Sequence, residues 1–328
     1  MGLLRWGCVS SVTLPISGST RERSSNGGQP LKGIVVPLIT PLKRRDELDP
    51  EGLERLLEHV LAGGVSGVFI LGTSGEAANL SYKLRRELIA TASKIIRQRA
   101  PLLVGITDTC IVEAIALAEH AASFGAQAVV SSTPYYFPVG QPELIEYFEH
   151  LAGEVPLPLF LYNIPEMTKV RFEPETLRRL SRFERIAGIK DSSGDLGYFA
   201  QILELKHLRP DWSVLVGPEH LLLETVLQGG DGGVNGGANF HPRLFVELHK
   251  ALESGDRARA AQLHEQVLRL GKVYQIGQHA STVIKGMKCA CSLLGLCDDL
   301  MAEPFRRFNP PEREQVRATL ESLGLFPR

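Results

Sequence analysis

Lys190 is the residue of this chain best placed for covalent chemistry. It ends a short apolar run that begins at Ile186, and the small polar residues Asp191, Ser192 and Ser193 follow at once. This pattern predicts a buried strand with a lysine at its carboxyl end. Burial favours the neutral form of an amine, and a neutral amine can attack a carbonyl group to form a Schiff base. The alternative is a strand-end lysine whose ammonium lies in solvent, and this segment alone leaves both open.

Other segments carry groups that suit the same chemistry. Gly72-Thr-Ser-Gly-Glu76 sets two hydroxyl residues between glycines, and such a turn can present N–H groups and hydroxyls to a carboxylate. Gly75 is expected to provide a positive φ or a close approach of the ligand. Tyr162 and Tyr136 are phenols that can carry protons. Each segment also has a structural interpretation, as an ordinary turn or a packed aromatic. Together the groups suit Schiff-base chemistry on a 2-oxo acid, without a metal or cofactor.

These groups need elements that bring them together. From residue 31 onward, short apolar runs alternate with amphipathic helical stretches. The runs lie at 34–36, 68–71, 102–104, 128–130, 159–161, 187–189, 214–216 and 233–234, and helices are expected at 50–62, 81–98, 111–124, 141–152, 174–182 and 196–208. Eight such units with wholly apolar strands predict an α/β fold, a (β/α)8 TIM barrel, more than an open doubly wound sheet. The chemistry of such a barrel lies at the carboxyl ends of its strands.

Two regions fall outside the eight units. Residues 1–30 are rich in Ser, Gly and Arg with one acidic residue, which predicts a disordered extension, with an organelle-targeting peptide as the alternative. The catalytic barrel is expected at 31–253 and a C-terminal helical extension at 254–328, with helices at 256–273, 279–294 and 312–323. The apolar face around Leu263, Val267 and Leu270 needs cover from the barrel or from another subunit.

Composition excludes several classes of partner. The 36 basic and 37 acidic residues are well mixed and give a net charge of −1, so neither nucleic acid nor an acidic membrane is an expected partner. The five cysteines have no CxxC spacing, which favours a reducing compartment, the cytoplasm, over a disulfide scaffold or a zinc site. No apolar run approaches the roughly 18 residues of a membrane span. A small neutral or anionic ligand is the expected partner.

The motifs resemble those of a known family. Gly72-Thr-Ser-Gly-Glu76, Tyr162-Asn-Ile-Pro165 and Gly188-Ile-Lys-Asp191 resemble, in order and spacing, the three signatures of the dihydrodipicolinate synthase/N-acetylneuraminate lyase family of class I aldolases. The resemblance runs from about residue 32 to the C-terminus. It implies that Lys190 forms an imine with pyruvate and that Tyr162 moves a proton at the reacting centre. It further implies a substrate-binding set of Thr73, Ser74, Gly75 and Val234.

Tyr136 resembles a tyrosine that, in many members of this family, reaches across a dimer interface. The resemblance therefore implies a Tyr–Thr–Tyr proton relay with Thr73 and Tyr162, in a homodimer or homotetramer. The imine makes the adjacent methyl group acidic, and the resulting enamine attacks an aldehyde. The reverse reaction cleaves a 4-hydroxy-2-oxo acid to pyruvate.

The second substrate stays open at this point. The family contains 4-hydroxy-tetrahydrodipicolinate synthases of lysine biosynthesis and lyases of N-acetylneuraminate and 2-keto-3-deoxy sugar acids, and a non-catalytic pyruvate-binding relative is a further alternative. Met167 stands where the synthases carry an arginine for the carboxylate of the second substrate, which disfavours aspartate semialdehyde unless Lys169 or Arg171 substitutes. Of the polar positions used for feedback by lysine, Glu113 alone matches, so such feedback is not expected.

Overall fold

The computed structural model describes residues 30–326. The predicted extension at 1–30 therefore lies outside the described residues except for Pro30. Over the described range, no helix is both long and apolar enough to cross a membrane.

Eight parallel strands close into a barrel in the order β1-β10-β9-β8-β7-β6-β5-β4. The strands are β1 (Gly33–Pro37), β4 (Gly67–Ile70), β5 (Leu102–Gly105), β6 (Ala128–Ser132), β7 (Leu159–Asn163), β8 (Ile186–Asp191), β9 (Ser213–Val216) and β10 (Gly232–Val234). Two short antiparallel strands, β2 (Leu42–Arg44) and β3 (Glu47–Leu48), form a separate ribbon after β1. Each barrel strand pairs with its neighbours in the chain, and the last pairs with the first. The predicted (β/α)8 barrel is confirmed.

Helices follow the strands, and those at 165–168, 222–227 and 242–253 are additional to the ones that the apolar spacing predicts. They are α1 (Pro50–Ala62), α2 (Tyr82–Ile96), α3 (Ile111–Ser123), α4 (Gln141–Glu154), α5 (Pro165–Thr168), α6 (Pro174–Leu180), α7 (Leu196–Leu203), α8 (Leu222–Leu227), α9 (Pro242–Glu253), α10 (Arg257–Leu270), α11 (Thr282–Leu293) and α12 (Pro310–Ser322). Two predicted helices end early because their last turns tighten into 3-10 helices, Glu204–His207 after α7 and Gly271–Tyr274 after α10.

The core has two layers because successive side chains of a strand point to opposite faces. One cluster is made by strand residues that share the barrel interior, among them Val35, Phe69, Phe160, Tyr162 and Val234. A larger cluster lies between the strands and the helices and contains the alternate strand residues, such as Leu161 and Ile189. Side chains at the carboxyl ends of the strands can pack against this interior cluster.

The C-terminal helices cover the barrel of their own chain. Leu263, Val267 and Leu270 of α10 are buried in the outer cluster together with Val316 and Leu320 of α12. The apolar face of α10, which was expected to need cover, is thus covered by residues of the same chain. The division into a barrel at 31–253 and an extension at 254–328 remains a prediction, and the two parts share one hydrophobic cluster.

Candidate active site

Lys190 lies in β8 with its side chain inside the barrel. The residue is only 7% exposed, so the solvent-exposed alternative does not hold. Its neighbour across the strand pair is Tyr162 of β7, and its Nζ lies 4.1 Å from the centre of the Tyr162 ring and 5.5 Å from that of Phe69. No carboxylate within residues 30–326 forms an ion pair with this amine. The structure therefore holds an unpaired amine between two aromatic rings.

Thr73 connects Tyr162 to the glycine-rich turn after β4. Its Oγ1 lies 3.3 Å from the Tyr162 Oη, a distance at which either hydroxyl can donate a hydrogen bond. The amine, the phenol and the hydroxyl thus form a continuous series from the barrel interior to the exposed Thr73. Three residues predicted from different segments are brought together.

The positions of Tyr162 and Lys190 are fixed by the residues that follow them. Asn163 donates a hydrogen bond from Nδ2 to Oδ1 of Asp191 at 2.7 Å, and Ser193 donates one to Oδ2 at 2.9 Å. Burial raises the pKa of the Asp191 carboxyl, while the hydrogen bonds from Asn163 and Ser193 act in the opposite direction. Because alternate residues of a strand point to opposite faces, this bond ties the two strands together behind the reactive pair. The motifs contain both residues, but their contact was not predicted.

The turn Gly72–Glu76 uses the backbone N–H groups of Gly75 and Glu76 within itself and leaves adjacent donors open. Gly75 donates to the Gly72 carbonyl at 3.1 Å, and Glu76 donates to the Thr73 carbonyl at 3.0 Å. In the described part of the chain, the N–H groups of Thr73 and Ser74 donate no hydrogen bond. Two adjacent free N–H groups beside hydroxyls form an anion-binding concavity. We call residues 73–75 the carboxylate cradle.

Two strained residues flank this cradle. Leu71 and Glu76 adopt left-handed backbone conformations, with φ of 58° and 56°. Gly75 does not, so a positive φ at Gly75 was a wrong expectation. The other expectation for Gly75, a close approach of the ligand, stays a prediction, and a Cβ at this position would lie 3.0 Å from the Leu38 carbonyl oxygen. Non-glycine residues in this conformation cluster at functional sites.

The remaining predicted site residues divide into two groups. Val234 of β10 is buried in the interior cluster with Tyr162. Tyr136 is instead 83% exposed, its φ is 80°, and within residues 30–326 it makes no hydrogen bond with Thr73 or Tyr162. The single chain therefore brings Val234 to the barrel interior and leaves Tyr136 at the surface.

The residues considered for the second substrate's carboxylate are largely engaged. Arg171 donates to Oδ2 of Asp195 at 2.9 Å, and its guanidinium lies 3.9 Å from the centre of the Tyr198 ring. Lys169 donates from Nζ to the Glu166 carbonyl at 2.5 Å. Both cations thus contact groups of this chain, while the Nε of Arg171 is buried without a partner in residues 30–326.

A buried carboxylate after β9 was missed by sequence reasoning. Glu219 accepts hydrogen bonds from the Gly237 N–H at 2.5 Å and from the Tyr274 hydroxyl at 3.0 Å. Its Oε2 is buried and has no partner in residues 30–326. Burial raises the pKa of Glu219 to about 7. The position of Glu219, three residues after the predicted strand at 214–216, was the feature of the sequence that could have indicated this carboxylate.

Similarity to known proteins shows which family this site belongs to. Residues 30–323 match the Dihydrodipicolinate synthetase family. The chain belongs to this family. It is 33% identical, over 90% of its length and 98% of the relative's, to the probable 2-dehydro-3-deoxy-D-pentonate aldolase YjhH of Escherichia coli (strain K12).

Two solved structures agree with this assignment to the dihydrodipicolinate synthetase family. The dihydrodipicolinate synthase of Bacteroides thetaiotaomicron is 50% identical with a TM-score of 0.87, over 90% of this chain and 99% of that one. YagE of E. coli K12, solved in complex with pyruvate, is 32% identical with a TM-score of 0.86, also over 90% and 99%. The predicted family and enzyme class are confirmed, and this dihydrodipicolinate synthetase family member is a carbon–carbon lyase of the pyruvate aldolase type.

Proposed function

We propose that this protein is a class I aldolase in which Lys190 forms a Schiff base with pyruvate. The supporting observation is the series Lys190, Tyr162 and Thr73, with 4.1 Å from the amine to the tyrosine ring centre and 3.3 Å between the two hydroxyl oxygens. The amine attacks the ketone carbon and the carbonyl oxygen leaves as water. The cradle holds the pyruvate carboxylate through the N–H groups of Thr73 and Ser74.

Tyr162 is the proton carrier of this proposal. A phenol beside the imine can take a proton from the adjacent methyl group, and the Thr73 hydroxyl passes protons to and from it. The enamine then attacks an aldehyde, or in reverse a 4-hydroxy-2-oxo acid releases one. Val234 is proposed to shape the apolar wall of the substrate pocket, since it is buried in the same cluster as Tyr162.

The aldehyde partner is proposed to carry no carboxylate, as in the cleavage of 2-dehydro-3-deoxy sugar acids. Met167 cannot bind a carboxylate by a charged fork, and the Arg171 guanidinium is already bound to Asp195. Similarity to the probable 2-dehydro-3-deoxy-D-pentonate aldolase YjhH is consistent with this choice, whereas the 50% identical structure from Bacteroides thetaiotaomicron is a dihydrodipicolinate synthase. The alternative, 4-hydroxy-tetrahydrodipicolinate synthesis from aspartate semialdehyde, needs a cation for the second carboxylate, and Arg171 and Lys169 already contact groups of this chain.

We further propose that the active enzyme is a homodimer or homotetramer in the cytoplasm, with Tyr136 acting in a neighbouring subunit. Tyr136 and Phe137 are 83% and 76% exposed, and such aromatic pairs favour interfaces. The φ of 80° at Tyr136 is rare for a bulky residue, and such strain marks functional positions.

Borohydride trapping tests the central proposal. The protein is incubated with pyruvate and a borohydride reductant, and its intact mass is measured. We expect one reduced pyruvate adduct per chain, on Lys190. An acceptor screen then separates the substrates: sugar acids should release pyruvate, whereas aspartate semialdehyde should not consume it. Absence of any adduct would refute the aldolase mechanism.

A further inference from the structure

Behind the cradle lies a fully buried ion pair. Glu76, the residue after Gly75, pairs with Lys288 of α11, and neither side chain is exposed to solvent. The other polar contacts of the pair go to the loop after α11. Lys288 donates from Nζ to the Leu300 carbonyl at 2.6 Å, and Glu76 accepts from the Ala302 N–H at 2.8 Å. The pair thus joins the turn after β4 to the C-terminal extension.

Glu76 needs such contacts because its backbone is strained. Its φ of 56° is disfavoured for any residue with a Cβ. Its N–H closes the turn on the Thr73 carbonyl at 3.0 Å. The same residue therefore connects the side-chain contacts from α11 to the backbone that leaves the Thr73 and Ser74 N–H groups free.

Stability alone is a weak reason for this arrangement. Taking two charges out of water costs about as much as their attraction returns, so apolar side chains of similar volume often do as well. In some proteins, however, buried polar or ionic groups fix the conformation of the groups that they join. At Glu76 that conformation decides where the open N–H groups of Thr73 and Ser74 lie.

We propose that Lys288 is a positioning residue for pyruvate binding, which acts through Glu76 and not by contact with the substrate. The C-terminal extension then takes part in catalysis by holding the carboxylate cradle in its binding conformation. This inference rests on the proposed function, because the role of the cradle is assigned there.

The chain offers a matched control at the opposite end of the barrel. Lys206 donates from Nζ to both carboxylate oxygens of Asp231, at 2.6 and 2.7 Å, and Asp231 is only 3% exposed. Lys206→Met and Lys288→Met each remove a lysine from a buried carboxylate. Lys206→Met, however, acts where the strands begin, away from the cradle.

The experiment measures borohydride trapping against pyruvate concentration for parent, Lys288→Met and Lys206→Met. For Lys288→Met we expect the half-saturating concentration to rise about tenfold or more, since small misplacements of binding groups have effects of this size. The maximal adduct per chain should stay unchanged, because Lys190 is intact. Lys206→Met should lower the melting temperature and leave the half-saturating concentration unchanged.

A double variant covers the case in which Lys288→Met does not fold. Glu76→Gln/Lys288→Met leaves no lone buried charge and keeps an acceptor for the Ala302 N–H. It should still show a raised half-saturating concentration, because no cation holds residue 76. A folded variant that lacks Lys288 and saturates like the parent overturns the inference alone. A parent protein that forms no adduct overturns the proposed function, and this inference with it.

Discussion

The two ends of the barrel hold their buried charges differently. Where the strands begin, Asp231 is bound by Lys206 at 2.6 Å, approached by Lys32 at 4.0 Å and hydrogen-bonded by the Val214 N–H at 2.8 Å. Where the strands end, Lys190 and the Glu219 carboxyl are both buried, and neither forms an ion pair within residues 30–326. Asp231 thus has cations beside it, whereas Lys190 and the Glu219 carboxyl have no oppositely charged partner in the described residues.

This difference is what a catalytic end requires. A lysine that is bound to a carboxylate is held as an ammonium and cannot act as a nucleophile. A lysine beside two aromatic rings has no such partner. The Glu76–Lys288 pair and the Arg85–Asp108 pair after β5 are buried ion pairs at the catalytic end as well, but neither involves Lys190. Ion pairing therefore separates Lys206 and Lys288 from the proposed reactive Lys190.

The comparison is tested most directly by removing each lysine. Lys190→Ala should abolish the pyruvate adduct completely, because imine formation needs a primary amine at that point. The fold should remain, since the Lys190 amine makes no hydrogen bond in the described chain. Trapping followed by intact mass measures the first effect, and thermal unfolding measures the second.

Lys206→Ala is the control for that prediction. It leaves Asp231 buried without its main cation and should lower stability while the adduct still forms. An adduct that persists at another lysine in Lys190→Ala would show that the unpaired amine is not the nucleophile. The two ends would then differ in charge pairing for a reason unrelated to catalysis.

A second prediction asks whether the catalytic end is complete within one chain. Tyr136→Phe keeps the ring and removes the hydroxyl, so it should slow turnover by about 10²-fold through lost proton transfer. The oligomer should not dissociate, because the packing surface is unchanged. Steady-state kinetics and sedimentation measure the two effects.

Mixing variants decides whether Tyr136 acts across subunits. Tyr136→Phe and Tyr162→Phe, each impaired alone, should regain activity together once their subunits exchange, because some pockets then contain both tyrosines. If labelled subunits exchange and activity does not return, Tyr136 acts within its own chain or has no catalytic role.

Much of the fold could be predicted from the spacing of apolar residues in the sequence. Eight apolar runs separated by amphipathic stretches admit few arrangements, so the strands and the convergence of Lys190, Tyr162 and Thr73 at their carboxyl ends were predictable. The ends of α7 and α10 were not, because apolar spacing does not distinguish a last α-helical turn from a 3-10 turn.

What the sequence concealed depends on contacts between distant segments. In the sequence, Glu76 is the last residue of a motif and Lys288 is one residue of a predicted helix. Tertiary packing alone brings them together as a buried ion pair. The left-handed conformation falls on Leu71 and Glu76, whereas the sequence offers glycines beside them. Backbone strain at non-glycine residues is imposed by surrounding structure and has no local signal.

The last prediction concerns the unpaired carboxylate. Burial raises the pKa of Glu219 from 4.5 to about 7, so between these values the folded state binds a proton that the unfolded state releases. The contribution of this group to the free energy of unfolding is therefore greatest below pH 4.5 and is lost as the pH rises to 7. Glu219→Gln keeps an acceptor for the Gly237 N–H and the Tyr274 hydroxyl and removes the titration.

The free energy of unfolding of Glu219→Gln, relative to the parent, should thus rise across this range by up to about 3 kcal/mol, at about 1.4 kcal/mol per pKa unit. Urea unfolding at several pH values measures it. Asp231→Asn should instead lower the free energy of unfolding at pH 7, because it removes the carboxylate that pairs with Lys206. Parallel curves for Glu219→Gln and the parent would mean that the Glu219 carboxyl is effectively solvated, and the contrast between the two ends would then rest on Lys190 alone.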